Sequence, residues 1–127
     1  MKVFLIVLLA LASSDVENEK NPDCRDFKTG KFKLIDGTGQ YIIERSDSIH
    51  SERNLITGES SKYKVSWIND CQFELRIIEG RKDIMDFYHE KVLVIKIIET
   101  NLNGYKCIGQ IKGDKKKYRN TLERLVE

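Results

Sequence analysis

The residues best suited to acid–base chemistry are two histidines with acidic neighbours. His50 lies in a polar segment, and His89 is followed by Glu90 and preceded by Asp86. A nucleophilic site would need one imidazole beside a Ser or Cys and an orienting carboxylate. In a chain with 33% charged residues such neighbours arise by coincidence, and we place His50 on an exposed strand and His89 in a loop. The sequence therefore predicts a protein without catalytic residues.

The carboxylates and glycines of the sequence indicate no catalytic or phosphate-binding site either. Glu44, Asp47 and Glu52 could line one side of a hairpin, but glycoside hydrolysis needs two carboxyl groups at a set separation around a cleft. Gly37 and Gly39 stand between predicted strands, without the following helix that completes a phosphate-binding loop. We interpret them as turn glycines and expect no cofactor.

Three cysteines, Cys24, Cys71 and Cys107, predict one disulfide with one thiol left over if the chain is exported. Three pairings are open from the sequence. We favour Cys24 with Cys71, because Cys107 lies in an apolar alternating segment where a buried thiol is ordinary. The cysteines are far apart and lack Cys-x-x-Cys spacing, so no metal site is expected.

The N-terminal residues predict export. A short cationic start, Met1-Lys2, precedes an unbroken apolar run at residues 3–12, and small residues follow. The run is much shorter than the about 20 residues that span a bilayer as a helix, so stable membrane insertion is not expected. We predict a secretory signal peptide at residues 1–14, cleaved after residue 12 or 14, and one β domain at residues 15–127. The mature protein would be periplasmic or extracellular.

Charge argues against nucleic acid as a partner. The formal net charge is only +2, whereas nucleic-acid binding needs a basic face that displaces counterions from phosphates. The one basic cluster has a single aromatic residue, Tyr118, for base stacking. We predict that this cluster is a solvated turn; its members are Lys112, Lys115, Lys116, Lys117 and Arg119.

Alternation of apolar and polar residues from residue 31 onward predicts antiparallel strands. The clearest pair is a hairpin around Asn69-Asp70, whose apolar faces would be Tyr63, Val65 and Trp67 on one strand and Phe73, Leu75 and Ile77 on the next. Residues 92–98 are apolar on both faces apart from Lys96 and rich in β-branched side chains, so we predict the central, best-buried strand there.

Three segments fit this pattern less well. Residues 48–56 are polar and predict an edge or strongly curved strand. Residues 81–90 predict a loop with one helical turn, as a flap over one end of the sheet. At the C-terminus, Tyr118, Leu122 and Leu125 recur at helical spacing, yet Gly113-Asp114 also reads as a hairpin turn into a last strand, and periodicity alone favours the helix.

The chain resembles a group of small exported bacterial proteins of unknown function. The resemblance covers most of the mature chain and rests on Cys24-x-x-Phe27-x-Thr29-Gly30-x-Phe32, Glu44-Arg45-Ser46-Asp47 and Trp67-x-x-x-Cys71. It implies a lipocalin-like antiparallel β architecture and supports the Cys24–Cys71 pairing. It also implies that residues 120–125 form a closing strand, and it transfers no catalytic residue.

These observations predict an all-β fold, a single antiparallel meander of about eight strands curled into a small barrel or a strongly bent sheet. Trp67 would pack the closed end of such a barrel, with Arg45 stacked across it by a cation–π contact. An eight-stranded barrel is filled by its own side chains or holds one small ligand.

The leading functional hypothesis is therefore an exported, non-enzymatic protein that binds a small apolar molecule. The candidate lining residues, which could also be core, are Phe32, Leu34, Tyr63, Val65, Trp67, Phe73, Leu75 and Ile95. The alternative is an interaction or stress-related protein with a filled core, binding a protein partner through an edge strand or the polar face of residues 48–56.

Overall fold

The β-sheet of this protein closes on itself. The computed structural model describes residues 23–35 and 40–126, with every strand antiparallel to its neighbours along the chain and β1 paired with β8. The strands are β1 Gly30–Leu34, β2 Tyr41–Arg45, β3 Ile49–Asn54, β4 Ser60–Asn69, β5 Gln72–Glu79, β6 Leu93–Thr100, β7 Gly104–Ile111 and β8 Lys117–Arg124. The predicted all-β meander is confirmed, and it forms a closed barrel.

Two sequence predictions fall outside the described residues. These are the signal peptide at residues 1–14 and the turn at Gly37 and Gly39. In the part of the chain that is described, no helix has the length and apolar character needed to cross a membrane.

Alternation along the strands sorts side chains into the barrel or onto its outer surface. In β4, Tyr63 and Val65 are buried and Lys64 between them is exposed. Across the hairpin, Val65 pairs with Leu75 and Trp67 with Phe73, so the two predicted apolar faces meet inside the barrel. The chain reverses at residues 70–71, where the Asn69 side chain accepts a hydrogen bond from the Cys71 amide at 2.9 Å.

Closure corrects two predictions about individual strands. Residues 48–56 do not form an edge, because β3 pairs with both β2 and β4. Residues 92–98 are not the best-buried strand, because only Ile97 of β6 is fully buried. A barrel has no central strand, and the outward residues of each strand face solvent even when they are apolar.

The other two ambiguous segments also have definite structures. Residues 82–88 form a helix of two turns, α1 Lys82–Tyr88, which packs beside β5. The C-terminal segment is strand β8, as the resemblance implied, and the helix favoured by its periodicity is wrong. Leu122 of β8 pairs with both Leu34 and Tyr105, so this strand completes the sheet.

A short 3₁₀ helix, Arg25–Phe27, closes the barrel end opposite α1, and we call residues 24–28 the plug. Phe27 is buried against Phe32 and Tyr105, with ring centroids 6.3 and 5.5 Å away. The disulfide joins Cys24 of the plug to Cys71 in the β4–β5 turn, which confirms the favoured pairing. Cys107 is outside this disulfide and buried in the same core cluster.

At Gly104 the backbone of β7 passes close to the backbone of β8. A Cβ atom there would lie 1.9 Å from the Leu122 carbonyl oxygen, whereas one at Gly109, on the same strand, would meet only the Ile95 Cδ1 at 3.3 Å. We therefore expect Gly104→Ala to lower the free energy of unfolding by about 1 to 3 kcal/mol, through overpacking against an atom that cannot rotate away. Urea unfolding would measure this, with Gly109→Ala as the matched control. Equal losses in the two variants would contradict the backbone clash.

Candidate functional site

A cavity of about 150 Å³ lies inside the barrel. Its apolar wall comes from inward positions of six strands: Leu34, Ile43, Phe73, Leu75, Ile95, Cys107 and Leu122. Its polar wall consists of Tyr41, Arg45, His50, Glu52, Tyr105 and Asn120. The cavity therefore offers an apolar volume with hydrogen-bonding groups concentrated mainly on β2 and β3.

A second cavity, of about 230 Å³, opens beside α1 and is called the mouth below. Its lining residues are Tyr41, Glu52, Asn54, Glu59, Ser60, Ser61, Tyr63, Arg81, Ile84 and Tyr88. Tyr41 and Glu52 line both cavities, so these two side chains stand between the mouth and the interior cavity. The predicted flap is confirmed in part, since α1 contributes Ile84 and Tyr88 to the rim of the mouth.

A chain of hydrogen bonds connects the deep end of the cavity to the mouth. The Arg45 Nη1 lies 3.4 Å from the His50 Nδ1, and the His50 Nε2 lies 2.9 Å from the Glu52 Oε2. A guanidinium can only donate, so the Nδ1 accepts and the proton of the neutral imidazole sits on Nε2, from which it is donated to Glu52. A buried cation is thereby linked to a half-buried carboxylate through a neutral ring.

Arg45 also fastens the plug to the barrel. Its Nε donates to the Lys28 carbonyl at 3.0 Å, and its Nη2 donates to the Phe27 carbonyl at 2.7 Å and to the Tyr105 hydroxyl at 2.9 Å. These bonds satisfy carbonyls at the C-terminal end of the 3₁₀ helix. Arg45 is 3% exposed, so this is a structural use of a buried cation.

The predicted stacking of Arg45 on Trp67 is present at long range. The Arg45 Cζ lies 6.0 Å from the Trp67 ring centroid, but 4.7 Å from that of Phe73 and 5.1 Å from that of Phe32. Trp67 packs against Phe73 with centroids 4.6 Å apart, and the Lys28 ammonium lies 5.0 Å from its ring. Trp67 therefore belongs to the plugged end of the barrel.

The structure divides the eight candidate lining residues into three groups. Leu34, Phe73, Leu75 and Ile95 line the interior cavity, and Tyr63 lines the mouth. The other three are absent from both linings. Phe32 packs in the core with the plug, whereas Val65 and Trp67 belong to the core cluster around Phe73 and Leu75.

The polar lining is what sequence reasoning missed. His50 was placed on an exposed strand, which is wrong, because it points into the barrel and is 4% exposed. Glu44, Asp47 and Glu52 do not share one side of a hairpin: Glu44 faces solvent, Asp47 lies in the β2–β3 turn, and Glu52 faces the cavity. One feature of the sequence could have indicated a polar inner face: His50, Glu52 and Asn54 stand at every second position of β3.

The remaining candidates for chemistry are solvated. His89 is exposed at the end of α1, and Asp86 forms an ion pair with Lys82 at 2.9 Å. The basic cluster at residues 112–119 is exposed, at the β7–β8 turn and the start of β8. Among residues 23–35 and 40–126 no three His, Cys, Asp or Glu side chains come together as a metal site would require.

Three tyrosines in or beside the cavities stay protonated in alkaline solution. Burial raises the pKa of Tyr105 to about 12. Burial, followed by the negative charge of Glu52, raises the pKa of both Tyr63 and Tyr88. The lining therefore presents neutral phenols at neutral pH.

Comparison with known proteins assigns neither a family nor a function to this chain. The chain matches no protein-family model, and neither the curated proteins nor the solved structures include a significant match.

Proposed function

We propose that this protein is an exported, non-enzymatic binding protein that takes one small, largely apolar molecule into the barrel. The observation that supports this most directly is the interior cavity of about 150 Å³, which shares Tyr41 and Glu52 with the mouth beside it. An interior filled by its own side chains would leave no such volume. The plug closes the opposite end, so the mouth is the entrance.

The size of the cavity limits the ligand. A cavity of about 150 Å³ lined by aliphatic and aromatic side chains admits a molecule the size of benzene, and drug-sized ligands need roughly 300 Å³ or more. A single ring or a short aliphatic chain fits the interior. A longer substituent would extend into the mouth beneath α1.

The state of His50 favours binding over catalysis. Both of its ring nitrogens are engaged, Nδ1 by Arg45 and Nε2 by Glu52. A general base needs an accessible nitrogen lone pair beside the nucleophile that it activates. The imidazole instead orients Glu52 at the entrance.

Export is supported by two independent features. The sequence of residues 1–14 has the pattern of a secretory signal peptide. The Cys24–Cys71 disulfide is of the kind that persists in oxidising compartments such as the periplasm or the extracellular space. We therefore propose that the mature domain acts outside the cytoplasm.

Native mass spectrometry of the mature protein, purified from its own host without organic solvent, tests the proposal. We expect a species heavier than the polypeptide by one small molecule, which solvent extraction then identifies. A carrier of known ligand, purified in parallel, controls for loss during handling. An empty protein beside a loaded control would contradict the proposal.

Filling the cavity should weaken binding without disturbing the fold. Ile95 of β6 lines the cavity, whereas the neighbouring Val94 is absent from the lining and lies on the opposite strand face. We expect Ile95→Phe to weaken binding of the probe 2-phenylethanol by at least about tenfold, since the new ring occupies the ligand's volume. Isothermal titration calorimetry measures this, with Val94→Phe as the matched variant of equal added bulk. Unchanged affinity in Ile95→Phe would place the ligand elsewhere.

A further inference from the structure

The charges around the mouth are unequally compensated. Arg81 at the rim is held by two carboxylates: its Nη1 lies 2.8 Å from both oxygens of Glu59, and its Nε and Nη2 lie 2.5 and 2.8 Å from the oxygens of Asp83. These bonds, Asp83 first and then Glu59, raise the pKa of Arg81. Within residues 23–35 and 40–126, this cation forms ion pairs with Glu59, which also lines the mouth, and with Asp83, which does not.

Glu52 has no comparable partner. Its Oε2 accepts the 2.9 Å bond from His50, and among the described residues no Lys or Arg forms an ion pair with it. Its side chain is 29% exposed and lines both the mouth and the interior cavity. The neutral His50 imidazole donates a hydrogen bond to Glu52 but brings no positive charge to it. Glu52 is therefore a charged group in the lining of both cavities.

Three tyrosines line the mouth together with this carboxylate. Tyr41, Tyr63 and Tyr88 all line the mouth, and the rings of Tyr63 and Tyr88 lie 6.4 Å apart, nearly perpendicular at 81°. The charge of Glu52 contributes to the raised pKa of Tyr63 and of Tyr88, so both phenols are neutral. The face of a neutral aromatic ring carries negative electrostatic potential and attracts organic cations.

We propose that the mouth recognises a small organic cation, an ammonium group held between Glu52 and the rings of Tyr41, Tyr63 and Tyr88, while the apolar part of the same molecule enters the interior cavity. This inference rests on the proposed function and specifies the chemical class of the ligand. Glu52 supplies the counter-charge, the rings supply cation–π contacts, and the aliphatic wall supplies apolar burial.

Three probes of similar size separate these contributions: phenethylammonium, 2-phenylethanol and 3-phenylpropanoate. Isothermal titration calorimetry at neutral pH and low ionic strength should show phenethylammonium binding roughly tenfold or more tightly than 2-phenylethanol, with 3-phenylpropanoate weakest. Added salt should reduce the preference for the cation, because the mouth is open to solvent.

Single substitutions test whether the preference for phenethylammonium over 2-phenylethanol arises at the mouth. Glu52→Gln retains the shape and an acceptor for His50, and we expect it to bind phenethylammonium and 2-phenylethanol about equally. Glu44→Gln makes the same charge change on the exposed outer face of β2, and it should keep the wild-type preference. Tyr88→Leu, on the short helix α1, should keep binding 2-phenylethanol while losing part of the preference, so the inference can be tested even if Glu52→Gln fails to fold.

Several outcomes would overturn the inference. Equal affinity of the wild-type protein for the cation and the alcohol would do so, as would tightest binding of 3-phenylpropanoate, and both would leave the proposed binding function intact. Failure of all three probes to bind would also overturn it. In that case native mass spectrometry decides the proposed function separately, because it depends on no chosen probe.

Discussion

A Cys24→Ser/Cys71→Ser double variant is expected to be less stable than the wild-type protein by about 4 kcal/mol. The disulfide closes a loop between cysteines 47 positions apart, and its removal releases the corresponding chain entropy in the unfolded state. Domains of this size are stable by only about 5 to 15 kcal/mol, so much of the stability depends on one bond. Denaturant unfolding of the oxidised wild type and the double variant would measure the difference.

Reduction provides the control for this result. Dithiothreitol should destabilise the wild-type protein by a similar amount, because it opens the same bond. The double variant should be unaffected by the reductant. A double variant as stable as the oxidised wild type would show that the plug needs no covalent attachment to the β4–β5 turn.

Arg45→Met is expected to cost about 3 to 5 kcal/mol. Methionine fills much of the same space but donates no hydrogen bond, so the carbonyls of Phe27 and Lys28 would lose the donor that satisfies them. A buried polar group left without its partner costs about 1 to 3 kcal/mol. The Tyr105 hydroxyl and the His50 ring would lose the same donor. Thermal and urea unfolding would both report the loss.

Two further variants separate the fork geometry of Arg45 from its charge. Arg53→Met removes an arginine from the exposed face of β3 and should change the free energy of unfolding by less than about 0.5 kcal/mol. Arg45→Lys keeps the cation, but an ammonium on a flexible stem cannot reproduce the planar fork. We expect it to recover only part of the stability. Full recovery would mean that charge alone holds the plug.

The fold was predictable because alternation is a local property of the sequence. Val65, Trp67, Phe73 and Leu75 could be assigned to one face without knowledge of any partner strand, and the structure pairs them across the same hairpin. The C-terminal segment could not be assigned in this way. Leu122 becomes a strand residue because β1 and β7 lie on either side of it, and neither neighbour can be found from helical or strand periodicity.

The candidate site was predictable only in its apolar part. Alternation with apolar side chains identified Phe73 and Leu75 as inward-facing, but the same alternation in β3 carries polar side chains inward. His50 is buried because Arg45 and Glu52 satisfy its two nitrogens. A rule that assigns polar residues to solvent fails where polar side chains form hydrogen bonds with one another inside a barrel. The bond between Arg45 and His50 joins two strands, and such a contact cannot be found from the pattern of one strand.

The closure of the barrel has a thermodynamic consequence. Seven of the strand pairings join neighbours along the chain, whereas β1 and β8 are paired through three residue pairs, with backbone bonds from Ile35 to Thr121 and from Leu125 to Lys31 at the ends of the seam. Bringing together segments roughly ninety residues apart costs about 4 kcal/mol of loop-closure entropy. Three residue pairs do not repay this alone, so the seam is favourable only when Phe32 and Leu122 are packed in the shared core. The seam and the interior must therefore form and melt as one cooperative unit.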